Sequence, residues 1–124
     1  MKKIINLILV CFICISISAQ LPRKSRDIIR QHYPTCKINS YNIIDKLYWV
    51  FLSNNTIIKF KKNGDVVEII GVVPTLLIPY QINNHKLWHY PNKPIRYYRK
   101  HKRGYDIHLR DGRQFKYNRR YKSK

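Results

Sequence analysis

Acidic residues are scarce in this chain. Six Asp and Glu face 25 Lys and Arg among 124 residues, a formal net charge of +19. Chemistry built on paired carboxylates therefore has little to draw on. Glycine is sparse too, at four residues, and no Gly-rich phosphate loop is present. Of three cysteines, Cys11 and Cys14 lie in an N-terminal apolar run, so Cys36 stands alone in the rest of the chain. An internal disulfide is excluded there, and stability must come from packing. Cys36 itself reads as a small, partly buried apolar residue. A second long hydrophobic run is also missing.

The single run, Ile4 to Ile17, is interrupted only by Asn6 and Ser16. It follows the basic start Met1-Lys2-Lys3 and precedes the small residues Ser18-Ala19. This is the layout of a secretory signal peptide cleaved after Ala19. The run is shorter than the roughly 18–20 apolar residues that a spanning helix needs. The predicted product is a periplasmic or secreted chain without a transmembrane helix. It keeps 23 Lys and Arg against the same six acids, and residues 72–124 hold 14 of those cations and only two acids. Such a field favours anionic partners.

What the chain does have is a repeat. His32-Tyr33-Pro34 returns as His89-Tyr90-Pro91, 57 residues later. At the same offset Pro22 falls on Pro79, Ile38 on Ile95, Tyr41 on Tyr98, Tyr48 on Tyr105, Leu52 on Leu109 and Lys59 on Lys116. That makes nine identities in the 41 positions from Pro22 to Lys62. Unrelated segments would share about two or three. The predicted organisation is a leader at 1–19, a first copy at 20–71 and a second at 72–124.

Each copy opens with a helix. Leu21, Ser25, Ile28, Ile29 and Tyr33 recur at helical spacing, Pro22 suits a first turn and Pro34 a stop, which predicts a helix over 21–33. Its counterpart, 79–90, is poorer in helix formers and relies on Ile82, Leu87 and Trp88. Extended runs follow at 36–42, 47–52, 56–61 and 65–70, broken at Asp45-Lys46, Ser53-Asn54-Asn55 and Asn63-Gly64. In the second copy they fall at 95–100, 105–110 and 113–118, and the chain stops one strand short. Tight breaks between short runs mean an antiparallel meander. The predicted class is α+β: two tandem helix-plus-antiparallel-meander repeats, with the helices on one face of an open antiparallel sheet.

Alternation assigns the faces. Tyr48, Val50 and Leu52 match Tyr105, Ile107 and Leu109, and that parity faces the helices. The opposite parity carries Trp49, Phe51, Lys59 and Lys61 in the first copy, and His108, Arg110 and Lys116 in the second. The stretch Arg96-Tyr97-Tyr98-Arg99-Lys100-His101-Lys102-Arg103 is the densest basic cluster, and basic groups with interleaved aromatics suit anion binding.

The chain at this point resembles the PepSY-like, beta-lactamase-inhibitor-like proteins exported by Bacteroidetes-type bacteria. The carrying residues are Leu21-Pro22, the helix ending in His32-Tyr33-Pro34-Thr35-Cys36-Lys37-Ile38, the block from Tyr48 to Asp65, Val73-Pro74 and His89-Tyr90-Pro91. The resemblance implies tandem α/β repeats and an open sheet whose bare face binds another protein. It implies neither catalysis nor a known ligand.

The expected function is a non-enzymatic binding module for an acidic protein or an anionic envelope component such as a glycan or lipopolysaccharide, with enzyme inhibition as a special case. Trp49 and Phe51 would anchor; Lys59, Lys61, Arg96, Arg99, Lys100, Arg103, Arg110 and Lys116 would supply charge, with Tyr98 and His108 beside them. Two other readings compete. A nucleic-acid or polyanion binder would lose affinity steeply with salt. A metal-dependent or hydrolytic enzyme would have to use His32, His85, His89, His101 and His108. His85 and His89, at i, i+4, have the spacing of a metal pair but no evident third ligand. No metal or cofactor is therefore expected.

Overall fold

The computed structural model describes residues 21–122; the expected leader lies outside the described residues. Helix α1 (Arg23–His32) is followed by β1 (Ile38–Ile44), β2 (Leu47–Leu52), β3 (Ile57–Phe60) and β4 (Val66–Ile70). A linker with a short 3-10 turn (Thr75–Leu77) leads to α2 (Tyr80–His89), then β5 (Ile95–His101), β6 (Gly104–Leu109) and β7 (Gln114–Asn118). The strands form a single antiparallel sheet in chain order, β1 to β7. Two tandem helix-plus-meander units are thus fused edge to edge, with β4 paired to β5 through Glu68↔Arg99, Ile69↔Tyr98 and Ile70↔Tyr97.

The 57-residue offset recurs in the backbone. The helices and the first two strands of the two copies begin and end at equivalent positions. So do the β-bulges, one between Ile38 and Ser40 opposite Leu52 and one between Ile95 and Tyr97 opposite Leu109. Both helices are preceded by a proline in extended geometry, Pro22 and Pro79, so each proline is the residue before the helix and not part of its first turn. Both helices end with a backbone N–H closing on the last turn, Tyr33 on Ile29 and Tyr90 on Lys86. The strands differ from the expected ranges by one or two residues, chiefly in β1. There Asp45 and Lys46 both take positive φ, making a two-residue turn that lets β1 run on to Ile44.

The core fills the space between helices and sheet. Val50, Leu52, Ile58, Phe60 and Ile69 of the first copy meet Tyr98, Ile107, Leu109 and Tyr117 of the second, under Leu21, Ile29, Tyr33, Ile78 and Ile82. Each such side chain contributes about 1.5–3 kcal/mol of burial. The repeated tripeptide supplies a tie to the linker: the Tyr33 hydroxyl donates to the Val72 carbonyl at 2.5 Å, and burial raises its pKa. Its counterpart Tyr90 packs on Phe115, with the Arg113 guanidinium 4.4 Å from its ring centre.

The start of α1 is held on the β3–β4 turn. Lys24 pairs with Asp65, and the Ser25 hydroxyl lies 3.3 Å from the Gly64 carbonyl. That pairing holds the Asp65 carboxyl below its ordinary range, with Asn63 adding to it. Gly64 has φ +92°, and a Cβ there would sit 2.7 Å from Lys24 Cβ. Gly112, on the β6–β7 turn, has φ +95° with open space around it. Gly64→Ala should therefore destabilise by more than the roughly 1 kcal/mol expected from φ alone, and by more than Gly112→Ala. Urea denaturation of both variants checks this; equal losses would mean that helix and turn are not in close contact.

Candidate functional site

The helices cover one side of the sheet. Strand register places two rows of side chains across the other. One row runs Asn42, Trp49, Lys59, Glu68, Arg99, Asp106, Lys116, with each residue the register partner of the next. The adjoining row runs Ser40, Phe51, Ile57, Ile70, Tyr97, His108, Gln114. The first is a ladder of alternating charge, the second mainly apolar and aromatic.

The charged row is internally engaged. The Lys59 ammonium lies 3.7 Å from the centre of the Trp49 ring and 3.3 Å from a Glu68 oxygen, and both charged side chains are only 13% exposed. Tyr97 donates its hydroxyl to the same carboxylate at 3.3 Å. Burial first, then the Glu68 charge, raise the Tyr97 pKa. His101 Nε2 is 3.4 Å from Asp106. A charge pair directly opposite on neighbouring strands is stabilising, so the Lys59–Glu68 pair favours the β3–β4 register. In the apolar row Tyr97 and His108 stack with ring centres 4.6 Å apart, and Ile70 is 37% exposed.

The residues expected to bind are thus sorted onto different surfaces. Trp49, Phe51, Lys59, Arg99, His108 and Lys116 share the uncovered face. Lys59 is not a free charge there, because Glu68 and Trp49 hold it. Arg96 and Arg110 lie at the end of this face nearest the linker and line a hollow of about 330 Å³ with Ile70, Tyr97 and His108. Lys61 and Lys100 meet at the opposite end, in a cleft of about 540 Å³ shared with Lys102 and Arg119. Arg103 sits exposed on the β5–β6 turn. Tyr98 requires correction. It pairs with Ile107 on the helix side and is 4% exposed, so it is a core residue and not part of a binding face. The basic stretch 96–103 is accordingly not a single patch. A strand at about 3.3 Å per residue carries Arg96 and Arg103 roughly 20 Å apart, with Arg99 and Lys100 on opposite faces between them.

Three residues escaped the sequence argument. Tyr97, not Tyr98, is the aromatic of β5 on the open face; pairing Tyr98 with apolar Ile107 signals this. Glu68 is the centre of the ladder, legible once β3 and β4 are paired. Lys86 is the third. It occupies the repeat position of the core residue Ile29 and is 5% exposed. Burial lowers its pKa. Leu87 and Trp88, expected to anchor α2, have side chains outside the described residues.

Of the histidines, His85 and His89 come together. His85 Nδ1 lies 2.8 Å from the Tyr117 hydroxyl and its ring 4.5 Å from that of His89. Among the described residues no three His, Cys, Asp or Glu side chains group as metal ligands, and no helix is long and apolar enough to cross a membrane.

Fold and face together define a tandem α+β repeat protein whose sheet, among the described residues, is covered on one side only. A family model described as "Putative beta-lactamase-inhibitor-like, PepSY-like" matches twice, over residues 15–68 and 46–122, and the chain belongs to that family. Three solved structures share the fold. A putative periplasmic protein of the DUF2874 family from Bacteroides vulgatus is 22% identical with TM-score 0.77, covering 86% of this chain and 89% of that one. A putative calcium-regulated periplasmic protein from Bacteroides thetaiotaomicron gives 22% and 0.76 over the same shares. A second putative periplasmic protein from Bacteroides vulgatus gives 21% and 0.78, over 86% and 90%. Among curated proteins none matches.

Glu68→Gln strands Lys59 at a largely covered position and should destabilise by about 1–3 kcal/mol. Lys116→Gln, on the outer strand, should stay within about 0.5 kcal/mol. Urea titrations of both variants check this; a neutral Glu68→Gln would mean that the ladder does not hold the sheet.

Proposed function

We propose that the chain is an exported, non-enzymatic binding module whose uncovered sheet face seats on an acidic partner protein, with blockage of an exported enzyme as its most specific form. The observation that carries this reading is the apolar row Phe51, Ile57, Ile70 and Tyr97, contiguous across both copies, with Ile70 exposed and the other three half-buried. Rows of this kind usually mark interaction sites. The family description points to inhibitor-like proteins, and the similar structures are described as periplasmic, which agrees with the leader expected from residues 1–19.

The dimensions fit a protein partner. Seven strands about 4.8 Å apart and about six residues long make a face on the order of 500–600 Å². With its rim, such a face approaches the roughly 800 Å² per partner of a stable interface. The apolar row supplies contact area. Basic groups at both ends, Arg96 and Arg110 at one and Lys61, Lys100, Lys102 and Arg119 at the other, favour an acidic rim on the partner.

A nucleic-acid or polyanion binder is supported by net charge alone. The ladder works against it, because Glu68 and Asp106 interrupt the cations that a phosphate chain would follow.

A photo-crosslinking residue at Ile57, on the open face, should capture one acidic exported protein in cells, and Phe51→Asp should abolish the adduct. The same residue at Arg30, on the outer side of α1, should capture none. Equal adducts from both positions would overturn the protein-face reading. Recovery mainly of nucleic acid or glycan, released by moderate salt, would favour the alternative.

A further inference from the structure

The two copies serve as internal controls for each other, and their differences converge on one cleft. It has a volume of about 590 Å³ and lies where α2, the linker and the start of β5 meet. Its lining includes Lys86, Arg96 and Arg110 beside Val72, Val73 and Ile95. At the equivalent positions of the first copy the three cations are Ile29, Asn39 and Ser53, all uncharged. The backbone around them is shared. Ser53 N–H donates to the Lys37 carbonyl at 2.9 Å, and Arg110 N–H donates to the Pro94 carbonyl at 2.9 Å. In the first copy the Ser53 hydroxyl is tied down, accepting from Lys37 N–H at 3.0 Å. In the second copy no such tie can form, since the Arg110 guanidinium has no acceptor and Pro94 has no N–H.

Lys86 is the unusual member. Its stem is buried on the core side of α2, leaving the residue 5% exposed overall, while its ammonium end borders the cleft and makes no ion pair among the described residues. No acid lines the cleft. Asp111, next in sequence to Arg110, is within 4 Å of Lys93 and Arg113. Three cations and no anion around an apolar wall are an unbalanced arrangement for an empty surface.

We infer that this cleft binds an oxyanion carried on a short apolar stem, with Lys86 and the two arginines holding the charged head and Val72, Val73 and Ile95 the stem. Phosphate monoesters and carboxylates share this chemistry. The site is separate from the uncovered sheet face except at its rim, where Arg96 and Arg110 also border the hollow beside Tyr97. A ligand there would be positioned to change how that end of the face presents itself.

The test uses the isotope-labelled protein and four probes: phenyl phosphate, benzoate, inorganic phosphate and the neutral benzyl alcohol. Backbone amide shifts of Gly71, Val72, Val73 and Ile95 report on the cleft. Phenyl phosphate or benzoate should saturate these shifts with a Kd near or below about 1 mM, and more tightly than inorganic phosphate or benzyl alcohol. Which of the two binds better names the head group. Lys86→Met should weaken binding at least about tenfold while leaving the protein about as stable, because methionine keeps the buried stem and removes only the ammonium at the cleft. Arg110→Gln should also weaken it, whereas Arg103→Gln, at the far end of the sheet, should not. Absence of saturable shifts with every probe would overturn the inference. So would an equal loss from Arg103→Gln and Arg110→Gln, which would leave only the diffuse positive field.

Discussion

The pairing of β4 with β5 is the contact on which the rest of the molecule depends. It joins a four-stranded and a three-stranded meander into one sheet and aligns their two helices on the same side. Three register pairs span the seam, and each does different work. Ile69↔Tyr98 lies in the core, Glu68↔Arg99 continues the charge ladder, and Ile70↔Tyr97 continues the apolar row. A slip of one residue at this seam would turn Tyr98 outward and Tyr97 inward, because side chains alternate with a period of two. Glu68 thus lies on the central strand, opposite Lys59 on one side and Arg99 on the other, where opposite charges favour this register over a slipped one.

A second constraint is helix supply. Two ten-residue helices, each about 15 Å long, suffice for one face of a seven-stranded sheet. Nothing among the described residues covers the other. The protein keeps that face soluble by alternating charge along one row and restricting the apolar residues to the next. The apolar content belongs mostly to the first copy and the excess charge to the second, so the face is a gradient from Trp49 and Phe51 toward His108 and Lys116. The positions the two copies share make the frame, and the outward positions in which they differ make the surface.

Most of the frame was legible in the sequence. The repeat offset, the turn residues at Asn63-Gly64 and Asp111-Gly112, and the parity of Tyr48, Val50 and Leu52 are local signals, and local signals determine elements and faces. What pattern alone could not give was the fate of individual charges. Lys59 is held by a carboxylate nine residues away and by a tryptophan on the neighbouring strand, a relation that exists only once register is known. The basic run 96–103 looks like one patch in sequence because adjacent residues are adjacent on a line; on a strand they alternate sides, and a bulge at Arg96 shifts the phase. Tyr98 was misplaced for that reason. Lys86 was hidden differently. Nothing in its own neighbourhood marks it as buried, and only its alignment with Ile29 does.

Binding through the sheet face requires that face to be open in the isolated protein. Sedimentation equilibrium over a wide concentration range tests that most directly. A monomer throughout is predicted, since the charge ladder and net positive field oppose self-association through the face. A tight dimer that Phe51→Glu dissociates would contradict it, for the face would then be covered by a second copy of the same chain.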